Sequence, residues 1–172
     1  MEHKMHPLEK HYHKILAEYF KEKPLFFDDE NKEQPNVRKC IEQTYQQTMA
    51  AMWDRVKSTL SDIWFIKANM KFRMIYELIV EYNFLINTYI QVTNSPKPEK
   101  NTKKMYIINE IKEYLSHRNL LLTQNPESFL AQFNCDKLGI SSIIDKLIKK
   151  WQQSYQIKRN THIWRKNDSL PV

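Results

Sequence analysis

One glycine, Gly139, in 172 residues is the feature that most restricts how this chain can fold. Glycine ordinarily supplies ~7% of a soluble domain and serves where the backbone takes positive φ or approaches another group closely. With a single glycine, sandwiches of tight hairpins, turns at positive φ and glycine-lined phosphate loops are all disfavoured together. The patterns G-x-x-x-x-G-K-[ST] and G-x-G-x-x-G need more glycines than the chain has, so an autonomous P-loop or Rossmann site is excluded. Helix is what remains, and the predicted fold is all-α: six to seven helices in antiparallel hairpins, stacked as a short α-solenoid or an irregular bundle.

The length is about one domain's worth, and 41% hydrophobic residues with 12% aromatics are enough to fill a core. Cys40 and Cys135 stand singly and far apart, with no CxxC, zinc-knuckle or disulfide spacing, which predicts two reduced thiols. No H-E-x-x-H or G-x-S-x-G occurs, and neither cysteine has a local histidine partner, so no catalytic residue and no cofactor is assigned. His3, His6, His11 and His13 lack neighbouring ligands at diagnostic spacing, and His11 and His13 point to different faces of a helix, so they read as surface histidines rather than a metal site. The first residues are charged and no run approaches the ~18 apolar residues of a membrane span, so the expectation is a soluble cytoplasmic protein that does not engage a membrane.

Periodicity predicts the elements in turn. Leu8, Tyr12, Ile15, Leu16, Tyr19 and Phe20 mark a helix from Pro7 to Lys23, followed by a loop whose Leu25, Phe26 and Phe27 tuck against it. Asn36 is placed to cap a second helix with the stripe Val37, Ile41, Thr44, Tyr45, Thr48 and Met52. A third helix, with Trp53, Val56, Leu60, Ile63 and Trp64 in shifted phase, meets it near Ala50-Ala51. Ser61 or Asp62 caps a further short helix, and Lys71 to Gln91 gives the cleanest amphipathic pattern. Past the polar, proline-bearing segment 93–103, helices are expected from Lys104 to Leu121, Pro126 to Phe133 and Ser141 to Gln153. Tyr155 to Trp164 fits a strand or an extended segment. The expected organisation is an N-terminal block at 1–92, a linker at 93–103, a C-terminal block at 104–156 and a basic extended tail at 157–172.

Tryptophans at 53 and 64, bracketing Leu60 and Asp62 and followed by Phe65, carry the choice between a chemical site and a packing joint. We read a joint, with Asp62 as a helix cap rather than a functional carboxylate. Charge is unevenly placed. Residues 1–86 carry 13 basic and 13 acidic side chains, whereas residues 87–172 carry 14 and 7. Lys146, Lys149, Lys150, Lys158, Arg159, Arg165 and Lys166 face Asp168 alone among acidic residues from 146 onward, which would suit an anion or nucleic acid as well as it suits a solvated helix face. Segment 133–151 resembles a helix-turn-helix, with Cys135, Gly139 and a lysine-bearing second helix. Asp145, however, occupies a position that such motifs fill with a branched aliphatic.

A set of spaced residues carries a family resemblance. His13, Leu16, Ala17, Tyr19 and Phe20 are followed by Pro35, Asn36, Arg38, Lys39, Glu42 and Tyr45, then by Trp53, Leu60, Asp62 and Phe65, then by Tyr76, Leu78 and Tyr82. This order resembles the helical spacer of NACHT-type STAND NTPases, between the NTPase and winged-helix part and the WD40 or TPR repeats. Pro126, Gln132 and Asn134 resemble its end before a propeller. The family usually places an Ala-Gly pair before the tryptophan, where this chain has Ala51-Met52. The resemblance implies a non-enzymatic interaction or scaffold module of a signalling or defence protein, its partners the adjacent NTPase or repeat domains in cis or in trans. A small basic nucleic-acid-binding regulatory protein, using segment 133–151 and the basic tail, is the alternative.

Overall fold

A computed structural model describes residues 7–28, 32–93, 103–125, 128–129, 146–147 and 149–153. The fold is all-α. Six named helices follow one another: α1 (Pro7–Glu22), α2 (Val37–Met49), α3 (Trp53–Leu60), α4 (Ile63–Lys71), α5 (Ile75–Thr93) and α6 (Lys103–Gln124). Among the described residues the only β pairing is an isolated bridge between Phe26 and Pro35.

The chain divides into two compact units, 1–126 and 127–172. This differs from the boundary expected at 93–103, because α6 packs on α5 and α3 and so belongs to the first unit. Its Met105, Ile108, Ile111, Leu115 and Leu122 are fully buried, which is reason enough for a proline-bearing segment not to act as a domain boundary. Residues 94–102 of that segment lie outside the described residues. In the second unit, helical residues at 128–129, 146–147 and 149–153 are described, and the buried rings of Phe129 and Trp151 meet at 5.7 Å. The expected extended segment at 155–164 and most of 133–151 lie outside the described residues.

Within the first unit, α1 and α2 form an antiparallel hairpin, with His13 opposite Gln46 and Lys21 opposite Lys39. Helix α2 also touches α3, α4 and α5, and α3 touches α6. A solenoid repeat contacts only its neighbours; contacts that skip two elements make this an irregular bundle with α2 near its centre.

The helix boundaries have local causes. Asn36 Oδ1 accepts from Lys39 N at 3.1 Å and opens α2, and Asp62 Oδ1 accepts from Trp64 N at 2.7 Å and Phe65 N at 3.2 Å and opens α4. Helices α2 and α4 both close with a left-handed residue whose flanking amides turn back on the last helical carbonyls. Ala51 N reaches Thr48 O and Met52 N reaches Gln47 O; Arg73 N reaches Met70 O and Met74 N reaches Asn69 O.

Several expectations need correction. Positive φ is not avoided: Lys32, Ala51 and Arg73 adopt φ of 57°, 54° and 58° without glycine. The turn at Arg73 delays α5 to Ile75, four residues after the expected start. On α1 the apolar stripe that marks the helix lies mostly outside: of its residues Phe20 is buried, beside Ala17, while Leu8, Tyr12, Ile15, Leu16 and Tyr19 are exposed. On α2, Ile41 and Tyr45 are exposed, and the inner face is polar, formed by Lys39, Gln43, Thr44, Gln46, Gln47 and Thr48 with Cys40. Phe26 is buried against Cys40 and Ala68, with Leu25 and Trp64 beside it, whereas Phe27 projects into solvent. The loop closes on itself: Phe27 N donates to Gln34 O, and Asn36 N to Leu25 O, both at 2.8 Å.

Candidate functional site

The segment singled out from sequence runs along α3 and α4, and the fold places its residues in different settings. Trp53, at the first position of α3, is half-buried and meets the ring of Tyr89 on α5 edge to face, at 5.4 Å and 89°. One turn on, Lys57 lays its ammonium over the other part of that contact, 5.0 Å from the Tyr89 ring. Leu60 is fully buried, and its carbonyl accepts from the hydroxyl of Tyr82 at 2.5 Å. Trp64 is half-buried against Phe26, Cys40 and Ala68, with the Lys67 ammonium 5.7 Å from its ring, and Phe65 is buried. Asp62 is exposed: its carboxylate is used by the two amides it caps.

The two tryptophans therefore face different neighbours, Trp53 towards α5 and Trp64 towards the 24–36 loop and α2. The short turn at Ser61-Asp62 separates them and fixes that divergence. Burying each ring contributes at least ~2 kcal/mol at ~25 cal/mol per Å2, beyond what an exposed ion pair such as Lys21 with Glu18 supplies.

Several polar side chains inside the bundle are tied to one another, although Gln43 Oε1 and Thr48 Oγ1 are buried without a hydrogen-bond partner. The Thr59 hydroxyl accepts from Gln43 Nε2 at 3.5 Å and donates to Gln47 Oε1 at 3.0 Å, joining α3 to α2. Lys39 Nζ donates to the carbonyls of Lys21, at 3.0 Å, and Lys23, so a buried ammonium closes the C-terminal end of α1. Burial lowers the Lys39 pKa, against the opposing pull of Cys40 and Glu22. Burial also pushes the Cys40 thiol up to about 12, which leaves it a packing group and not a nucleophile.

A second polar group lies between α1, α2 and α5. His13 Nδ1 is 2.6 Å from Gln46 Oε1, Gln46 Nε2 donates to Glu42 Oε2 at 2.9 Å, and Thr44 Oγ1 donates to Glu81 Oε2 at 3.2 Å. Burial raises the Glu81 pKa, the Thr44 hydrogen bond opposes it and the Glu42 charge adds to it. The folded state thus holds the Glu81 proton more tightly than the unfolded chain. The resulting stability is complete below the ordinary carboxyl pKa of 4.5 and is lost as pH rises through the folded value.

Among the described residues no cluster of His, Cys, Asp and Glu could hold a metal ion, and no helix is long and apolar enough to cross a membrane. His11 is exposed and His13 is engaged with Gln46; His3 and His6 lie outside the described residues.

Compared with known proteins, the chain matches no family model, no curated protein and no solved structure.

Of the basic surface, Lys146, Lys149 and Lys150 are exposed and helical, and their spacing puts them on one face. Lys158, Arg159, Arg165 and Lys166 lie outside the described residues. Sequence reasoning missed Gln46 and Gln47, and it names Lys39 only within the family-like pattern, not for its bonds to the end of α1. Asn36 three residues ahead of Lys39 signals a helix start, but nothing local tells that a first-turn lysine will reach back to the preceding helix.

Proposed function

We propose that this chain is a non-enzymatic helical interaction or scaffold module of the kind that, in STAND-type signalling or defence NTPases, spaces a nucleotide-driven switch from a repeat sensor. The reading is of a cytoplasmic module whose partners are such NTPase or repeat domains, in cis or in trans. One observation carries it: the residues of the family-like pattern that fall on α3 and α4 hold helices together. Trp53 meets Tyr89, the Leu60 carbonyl takes the Tyr82 hydroxyl, and Asp62 caps α4. A spacer transmits position between its ends, and that task requires rigid interhelical joints with no reacting group. The turn before Trp53 departs from the family's Ala-Gly pair: Ala51 takes φ 54°, and Met52, in the glycine's place, takes φ −85°.

The test is calorimetric titration of the chain with ATP and with ADP in the presence of magnesium, paired with gel shifts on duplex and single-stranded DNA at two salt concentrations. The expected result is no heat from either nucleotide and no shift at low salt. Micromolar affinity for ATP would overturn the scaffold reading. A low-salt shift that disappears steeply with added salt would replace it with the nucleic-acid one, carried by Lys146, Lys149 and Lys150.

A further inference from the structure

The spacer reading leaves the outward face of α1 unused. Leu8, Tyr12, Ile15, Leu16 and Tyr19 are 41–58% exposed. At ~100° per residue they fall within an arc of about 100°, and Lys14 and Glu18 project elsewhere. The stripe is not a displaced core face, because α1 already has one in Ala17 and Phe20. Neighbouring helices widen it. The ring of His13 is edge-on to exposed Tyr45 at 6.0 Å, and Tyr45 stacks on Phe84 of α5 at 5.6 Å. Val80 and Tyr76, one and two turns earlier on α5, are 62% and 59% exposed.

Large aromatic side chains present ~150–250 Å2 each, so half-exposed rings and aliphatics in this number offer on the order of 800 Å2. The largest apolar patch of a typical monomer is ~300–600 Å2, and one partner's share of a standard stable interface is ~800 Å2. The patch has the area of half a dimer interface.

The order of residues says which partner fits. Tyr12-x-x-Ile15-Leu16-x-x-Tyr19 reads the same in both directions: a tyrosine, two residues, an aliphatic pair, two residues, a tyrosine. A two-fold axis between positions 15 and 16 would lay a second α1 antiparallel on the first. Tyr12 would then meet Tyr19 of the partner subunit, and Ile15 would meet Leu16 of the partner subunit. A two-fold interface joins identical patches and therefore requires a patch complementary to itself. A stripe symmetric about its midpoint meets that requirement, whereas an unrelated partner would place no such demand on it.

We propose that the chain forms a symmetric dimer through antiparallel α1–α1 packing, with Ile41 and Tyr45 at its margin. This inference does not rest on the spacer reading. It is tested by sedimentation of the full chain from low to high micromolar concentration, beside the Leu16→Glu variant. The wild type should sediment as a dimer and the variant as a monomer of unchanged helical circular dichroism. A second arm uses a short bis-maleimide in a Cys135→Ser background. Leu16→Cys should crosslink to a dimer, and Ser58→Cys, exposed on α3, should not. A wild type that stays monomeric at high micromolar concentration overturns the proposal. So does a folded Leu16→Glu dimer, or crosslinking that is equal at positions 16 and 58.

Discussion

Helices α1 and α5 carry similar apolar periodicity and are held in opposite ways. On α5, Ile75, Leu78, Tyr82 and Leu85 are all buried, with α4 and α6 packed alongside. Among the described residues of α1 only Ala17 and Phe20 are buried, and several of its ties to the bundle are polar: His13 with Gln46, Glu18 with Arg55, and the carbonyls of Lys21 and, just past the helix end, Lys23 with Lys39. Periodicity declares a helix but not which side its neighbours will cover. Stability follows cover, so the two ends of the bundle should open with different free energies.

The sharpest way to break this comparison is a matched pair of truncations. Leu60→Ala removes a fully buried side chain beneath Tyr82 and should cost ~2–5 kcal/mol. Leu16→Ala, on the outward face of α1, should stay within ~0.5 kcal/mol of the parent when both are unfolded at concentrations low enough to keep the chain monomeric. Urea unfolding of both checks it. Equal losses would mean that α1 is as deeply integrated as α3, and the contrast would collapse.

Legibility from sequence follows the same division. Where the interior is apolar, reading the stripe reads the core: Leu78, Tyr82 and Leu85 on α5, and Ile108, Ile111 and Leu115 on α6, are buried as their spacing predicts. Caps were legible too, because Asn36 and Asp62 act on amides two or three residues away. Helix α2 was legible only in part. Thr44 and Thr48 of its stripe are buried, but the rest of its inner face is Gln43, Gln46 and Gln47, residues that hydropathy assigns to solvent; hydrogen bonds of Gln43 and Gln47 to Thr59 and of Gln46 to His13 and Glu42 hold them there. Ile41 and Tyr45 of the same stripe are exposed. Of the candidate joint, the buried positions of Leu60 and Phe65 were readable from their phase, but the separate neighbours of Trp53 and Trp64 depend on the turn between α3 and α4 and on a loop from 24 to 36.

A smaller effect sharpens the same contrast at one residue. Lys39→Met keeps the buried stem and removes the donor shared by Lys21 O and Lys23 O. Both carbonyls belong to exposed residues that water reaches in part, and the buried ammonium itself is disfavoured, so the net loss should be about 1 kcal/mol. It should be local. Hydrogen exchange should quicken across α1 while amides of α5 keep their protection; uniform quickening would show that the end of α1 is part of the global unit.

The smallest expected change lies at the hinge between α2 and α3. Ala51 holds φ at 54°, where a Cβ crowds the following carbonyl, and the structure keeps it there because Ala51 N and Met52 N complete the end of α2 at Thr48 O and Gln47 O, both at 2.9 Å. Glycine would relieve the crowding at ~1 kcal/mol or more, and would give back part of that through the greater freedom of the unfolded chain. Ala51→Gly should therefore raise stability by about 0.5 kcal/mol, read as a small upward shift in melting temperature with an unchanged helical spectrum. A loss of stability would mean that the methyl group of Ala51 contributes packing between α2 and α3 that outweighs its backbone cost, and the turn before Trp53 would then be a contact surface and not merely a bend.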